Sequence, residues 1–294
     1  VAFSSTTVLK KKAIAWIVAV PVCIAMLIWS VFVEPAALVV KEYSIELPNW
    51  PKHLNGLKIA VLSDLHVGSL HIGPEKLRAI VDETNKQNAD LILLLGDYVS
   101  AGRHTCLVKP ATFVSQLARL KAKLGVYAIL GNHDWWYNGE DVGSSLESAN
   151  IRVLEDSTVM LQSDQTPFWL AGLKDLWTRN PNIESTLAPV NSSSPVIVMS
   201  HNPDVFPAIP ERVALTIAGH THGGQVSFPF IGPLIVPSEY GARFAKGVII
   251  ENEKHLFVSS GIGTSVLPIR FGVPPEISVL ILSGKKDSHD SKNN

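Results

Sequence analysis

Cysteine is scarce in this chain, with two in 294 residues. Cys23 lies inside an apolar run and Cys106 in a polar stretch far along the sequence, so no disulfide framework is expected and no redox compartment is indicated. Nor is there a thiolate set that would favour a structural zinc site. An excess of one charge is also missing. The formal net charge is −1, which removes the usual basic footprint of a nucleic-acid binder, and no nucleic acid is expected as a partner. No internal repeat is visible, and nothing points to a protein partner. The length allows one large domain with appendages and a sizeable core.

What the chain does have, near its start, is a long apolar run. Ala13 to Val33 carries no charged residue. At about 1.5 Å per helical residue it spans a hydrocarbon core of roughly 30 Å. The alternative is a cleaved signal peptide, but its apolar region is usually only about 7–15 residues, and Glu34-Pro35-Ala36-Ala37-Leu38 is a poor cleavage site. Pro21 is compatible with a membrane helix. Lys10, Lys11 and Lys12 precede the run and Glu34 follows it. The positive-inside rule then puts residues 1–12 in the cytoplasm, 13–33 across the cell (inner) membrane as a single-pass anchor, and the main domain on the extracytoplasmic side. Residues 34–44 read as a connector, 45–283 as the main folded domain, and 284–294 as a polar, disordered tail.

From Leu57 onward, short apolar runs each end in a polar cluster. Leu57–Leu62 leads to Ser63-Asp64-Leu65-His66, Leu91–Leu95 to Gly96-Asp97, and Val126–Leu130 to Gly131-Asn132-His133-Asp134. Val196–Met199 leads to Ser200-His201-Asn202, and Leu215–Ala218 to Gly219-His220-Thr221-His222. Runs this short, bounded by turn residues, read as buried strands. Pro74–Asn88 and Thr112–Leu124 carry apolar residues at helical spacing between the early strands. The alternation implies a βαβ core. Phe168–Leu173, Lys246–Glu251, Leu256–Ser259 and Ile277–Leu282 add strands with little helix between them. The expected fold is a two-sheet α/β sandwich with helices outside.

In open α/β sheets, ligands collect beyond the carboxyl ends of strands. Each of these runs delivers a metal-capable side chain there. Asp64 and His66, two apart, project to one side of an extended segment, and His220 and His222 repeat the device. Asp97 offers a carboxylate able to bridge, Asn132 a neutral oxygen, and His201 another imidazole. Mixed nitrogen and oxygen ligation suits Mn, Fe or Zn. A lone histidine or Gly-Asp pair is ordinarily just a polar turn; the ordered set at strand ends is not. His53, His71, His104, His255 and His289 lie in no such context and read as surface or connector residues.

The ordered blocks Asp64-x-His66, Gly96-Asp97, Gly131-Asn132-His133-Asp134, His201 and Gly219-His220-x-His222 resemble the signature of the calcineurin-like metallophosphoesterases, over roughly residues 45–283. The resemblance implies an α/β four-layer sandwich, two mixed β-sheets flanked by helices, with two divalent metal ions. It implies that Asp64, His66, Asp97 and His222 hold one metal, that Asp97, Asn132, His201 and His220 hold the other, and that His133 is catalytic without ligating. The reaction implied is hydrolysis of phosphodiester or pyrophosphate bonds by a hydroxide that two metals activate. In the protein-phosphatase branch the block resembling Gly96-Asp97-Tyr98-Val99 continues with aspartate and arginine. Ser100 and Ala101 stand there instead, which argues against a protein phosphatase and leaves His133 to find another partner, with Asp134 the candidate.

The stretches Gly219–Gln225 and Ser260–Glu276 look like those of membrane-anchored bacterial members, some of which cleave UDP-2,3-diacylglucosamine in lipid A synthesis. A lipid-linked phosphoester substrate is therefore one expectation. That diphosphatase activity is an alternative, set against the topology, since its substrate is cytoplasmic. A non-catalytic scaffold is a further alternative, set against the complete ligand set. Arg270 could hold a substrate phosphate or pair with Glu276. Trp135, Trp136 and Tyr137 could stack on substrate or pack in the core.

Overall fold

The computed structural model describes residues 5–100, 108–190 and 193–285. One six-stranded sheet runs, in spatial order, β1 (Val39–Leu47), β14 (Glu276–Gly284), β2 (Leu57–Leu62), β3 (Leu91–Leu94), β4 (Val126–Ala128) and β5 (Arg152–Val153). A second six-stranded sheet runs β12 (Gly247–Glu251), β13 (Lys254–Val258), β9 (Leu215–Ala218), β8 (Val196–Ser200), β7 (Thr166–Gly172) and β6 (Ser157–Ser163). A small ribbon pairs β10 (Ser227–Phe228) with β11 (Gly232–Pro233). The helices are α1 (Ser5–Ile28), α2 (Pro74–Lys86), α3 (Pro110–Leu117), α4 (Asn132–Tyr137), α5 (Gly139–Ser148) and α6 (Ile183–Leu187).

Alternation along each strand sorts side chains into layers. Ile59 and Val61 of β2 meet Ile197 and Met199 of β8 in the core between the sheets. Ala60 and Leu62 turn the other way, under Leu77, Ile80 and Val81 of α2 and Phe113 and Leu117 of α3. Val196 and Val198 of β8 likewise turn outward, toward Leu187 of α6. Both faces of the central strands are buried, which is why they read as unbroken apolar runs. α2 and α3 each begin with a proline at the first helical position, where its missing N–H leaves no bond unmade. The result is the expected arrangement of two mixed sheets between helices.

Register brings the site loops to one level. In the parallel pairs Leu62 lies opposite Leu94, Leu94 opposite Ala128, Ser200 opposite Ala218, and Ala218 opposite Val258. The loops that follow these strands therefore leave the two sheets at a common edge.

Three expectations are corrected, two of them boundaries. The connector at 34–44 contains most of β1, which pairs in parallel with β14 from Val39↔Glu276 to Leu47↔Gly284. The tail does not begin at Gly284, because that residue closes β14 and its N–H donates to Asn55 Oδ1 at 2.7 Å; the remainder, 286–294, lies outside the described residues. His255 is buried in β13 and is not a surface residue, while His53 is exposed and His104 and His289 lie outside the described residues. Trp16–Ala36 is long and apolar enough to cross a membrane, and only 6 % of that window is buried by the protein. A core helix of the same composition would be covered. α1 continues through Pro21 and gives way to a wider turn at Trp29–Val33 and a short 3₁₀ turn at Glu34–Ala36.

Candidate metal centre

The loops after β2, β3, β4, β8 and β9 converge, and all the residues expected to ligate are buried: Asp64, His66, Asp97, Asn132, His201, His220 and His222. Two groups of donors share Asp97. His66 Nε2 lies 3.1 Å from His222 Nε2, and His222 Nε2 lies 3.4 Å from Asp64 Oδ1. On the other side His201 Nε2 is 3.2 Å from His220 Nδ1. Asp97 Oδ2 stands between them, 3.6 Å from His66 Nε2 and 3.3 Å from His201 Nε2. Asn132 Oδ1 is buried and has no hydrogen-bond partner, an arrangement that is costly unless something accepts its lone pairs. The donor atoms fall into the sets Asp64–His66–His222 and Asp97–His201–His220, with a third set, His66–Asp97–His133, between them. Converging imidazole nitrogens, an orphaned amide oxygen and shared carboxylates fit a pair of divalent cations.

Charge states differ across the cluster. Burial works against charge on His201, but the Asp97 and Asp64 carboxylates hold its imidazole well above the usual range. Burial pushes His66 and His220 down to about 3, so both rest in the neutral form that ligates. Burial works against the charge on Asp97, but chiefly the His201 imidazole, 3.3 Å away, holds its carboxyl well below the usual carboxylate range. Burial pushes Asp64 up to about 6, against the pull of His201, the Ser63 hydroxyl and the His220 N–H.

The backbone is bent to make this geometry. Asp64, His66, Asp97, His220 and His222 all have positive φ, between 45° and 70°. Such strain in non-glycine residues persists where the surroundings impose it, and it clusters at functional sites. A Cβ on Gly131 would collide with the Asp97 carboxylate and lie 2.7 Å from His201 Cε1, so only glycine lets β4 end this close to the site. His201 is oriented by its Nδ1, 2.7 Å from Leu95 O, which leaves Nε2 facing Asp97.

Asp134 does not serve His133. Its carboxylate accepts the N–H groups of Gly131, Asp97, Tyr98 and Val99 at 2.8–3.2 Å, tying α4 to the loop after β3. His133 instead meets Ser265, with Nε2 to Oγ at 3.3 Å, while its backbone N–H donates to Asp97 Oδ1 at 2.9 Å. Ser265 is held by Gln225, whose Oε1 accepts its N–H at 2.6 Å. Ser265 was not among the expected site residues, since a serine in a glycine-rich stretch carries no distinguishing signal. Trp177 was also missed. It is half exposed and stands edge-on to His220 at 4.3 Å. Trp136, also half exposed, leans on His133 at 4.7 Å, so it belongs to the rim of the site rather than to the core.

Arg270 takes neither expected role. It is fully buried, and its guanidinium donates to the carbonyls of Gly263, Ser260 and Val273 at 2.6–3.1 Å. Glu276 is engaged by Tyr43 and Ser278. Arg270 therefore organises the loop behind His222, whose Nδ1 lies 3.4 Å from Nη2. Ser100 is buried, and Ala101 lies outside the described residues.

The Calcineurin-like phosphoesterase family profile matches residues 57–224. The chain is 32 % identical over 257 residues to the uncharacterized metallophosphoesterase YkuE of Bacillus subtilis, covering 85 % of this chain and 87 % of that one. It is 31 % identical over 233 residues to the phosphodiesterase YaeI of Escherichia coli, covering 76 % and 82 %. It is 29 % identical over 260 residues to a zebrafish transmembrane protein with a metallophosphoesterase domain, covering 82 % of this chain but 57 % of that protein. Fold, site and relatives agree that this chain belongs to the calcineurin-like phosphoesterases, a family of phosphoric ester hydrolases.

Proposed function

We propose that the protein hydrolyses phosphodiester or pyrophosphate bonds of a substrate presented at a membrane surface, with two bound cations. The observation that carries this reading is the meeting of donors from both sheets around Asp97 Oδ2. Asp64, His66, Asp97 and His222 would hold one cation, and Asp97, Asn132, His201 and His220 the other. Cations bound there would supply a deprotonated water at neutral pH and neutralise charge on the phosphoryl oxygens. His133, beside the donors and 3.3 Å from Ser265 Oγ, would give a proton to the leaving oxygen. Trp136 and Trp177 flank the site and would confine the substrate at its mouth.

A lipid-linked substrate is favoured by one further contact. Arg270 N donates to Ser30 O at 2.9 Å at the end of the apolar segment, while the Arg270 side chain reaches His222. One residue thus spans from the anchor to the centre. The lipid A diphosphatase reading needs the domain on the cytoplasmic side, the reverse of what the lysines suggest.

The test is metal analysis of purified, reconstituted protein with hydrolysis of bis-p-nitrophenyl phosphate after loading with Mn, Zn or Fe. The expected result is about two equivalents per chain and turnover that a chelator removes. A stoichiometry that stays at one, or loaded protein inert on diesters and pyrophosphates alike, overturns the reading.

A further inference from the structure

Soluble proteins rarely leave a contiguous apolar patch in water. Beside the exit of α1 this protein does so. Gln225 to Pro237 contains no charged residue, and neither does Ser259 to Ile269. Phe230 and Val266 are almost wholly exposed, at 109 % and 97 %, and Ile231, Leu234, Ile235 and Leu267 are more than half exposed. The two segments form one surface. Ser227 N donates to Phe271 O at 2.8 Å, the Phe228 and Phe271 rings lie 5.0 Å apart, and Gln225 Nε2 donates to Ser265 O at 3.0 Å.

That surface continues from the anchor. Trp29, at the end of the apolar helix, lines one recess with Glu34, Phe228, Pro229 and Phe271. Glu34 Oε1 accepts from Val273 N at 2.6 Å, so no flexible stalk separates the helix from the ribbon. A bilayer that receives Trp16–Ala36 must therefore meet the β10–β11 ribbon at its surface.

We infer that the β10–β11 ribbon and the Val266-Leu267 loop insert into the lipid interface as a second membrane contact beside the anchor. Phe230, Ile231, Leu234 and Ile235 would sit at the headgroup–acyl boundary, as apolar side chains of interfacial segments do. Ser265, adjacent to Val266, touches His133, so the inserted loop borders the metal centre. The inference goes beyond hydrolysis and does not depend on it. It rests on the anchor lying in a bilayer.

The experiment uses the full chain in nanodiscs, with Cys23 and Cys106 replaced by alanine and an environment-sensitive fluorophore on a single introduced cysteine. Phe230→Cys and Val266→Cys report the proposed contact. Lys123→Cys, exposed just before β4 at the opposite edge of the sheet, is the control. Both test labels should lose most of their emission when lipids carrying a quencher near the headgroup are included, and the control should lose none. Labels at 230 and 266 that are quenched no more than the control overturn the inference. A shielded label that lipid quencher does not reach would place a protein there, not a bilayer, and also overturns it. Two reporting positions keep the test decisive if one variant fails to fold.

Discussion

At the scale of single residues, the proposed ligands and their neighbours should respond differently to substitution. His133→Ala should keep both metals, because its removal leaves every proposed ligand in place, yet lose about 10²–10⁴-fold in turnover, the usual contribution of a positioned acid. The loss should be larger on an alkyl diester than on a nitrophenyl diester, whose leaving group needs little protonation. Equal losses on both would leave His133 an electrostatic or positioning group. Asp97→Ala should lose metal and activity together on both esters, since its Oδ2 faces both donor groups. Asp134→Ala tests a different role. It removes an acceptor shared by four backbone N–H groups, so the thermal midpoint should fall by an amount matching a loss of about 3 kcal/mol or more. An unchanged midpoint would mean that water replaces the carboxylate there. The convergence of these donors was legible because each follows an apolar run that ends in turn residues. The roles of Asp134, Ser265 and Arg270 were not. They depend on which backbone groups a carboxylate, hydroxyl or guanidinium meets after the loops have folded, and no local pattern records that.

At the scale of elements, strands buried on both faces were visible, while of the four edge strands only β12 was. β1 carries Lys41, Glu42 and Glu46 on its exposed positions, so its composition resembles a linker. It becomes a strand by pairing with β14, more than two hundred residues away, at Val39↔Glu276. β5 is two residues long and gives no periodicity to read. The turn between β5 and β6 carries the chain from one sheet to the other and holds Glu155, which accepts from Leu130 N at 3.3 Å. Burial pushes this carboxyl from 4.5 up to about 8. An acid raised on folding contributes stability that is fully present below the unfolded value and is lost as pH rises through the folded one. Wild-type stability should thus decline between about pH 4.5 and 8 from this group. Glu155→Gln keeps a neutral acceptor for Leu130 N and cannot ionise. Its urea midpoint should match wild type near pH 5 and exceed it increasingly toward pH 8. Parallel midpoints across that range would show that Glu155 is ionised in the fold. The Arg270 loop offers a second check at this scale. Arg270→Lys cannot fork to several carbonyls at once, so it should lower the thermal midpoint and not behave as a conservative change.

At the scale of the whole molecule, the question is which side of the membrane the centre faces. The two-sheet arrangement was legible from the order of strands, because a parallel core needs helices outside it and loops at one edge. How close that edge comes to the anchor was not, since Arg270 and Ser30 are brought together only by the fold. Their contact fixes the catalytic domain against the end of the helix, so the orientation of the helix decides the orientation of the site. Lys10, Lys11 and Lys12 precede the apolar segment, and basic residues are retained on the cytoplasmic side. The domain should therefore lie outside the cytoplasm. A compact domain resists proteases, so a membrane-impermeant maleimide is the cleaner reader, applied to Lys123→Cys with Cys23 and Cys106 replaced by alanine. Lys123 is exposed and remote from the anchor, so neither burial nor the bilayer should protect it. Labelling in intact spheroplasts equal to that after lysis is the expected outcome. Labelling only after lysis would place the centre in the cytoplasm, reverse the orientation drawn from the lysines, and bring back cleavage of a cytoplasmic nucleotide-linked lipid as the leading reaction.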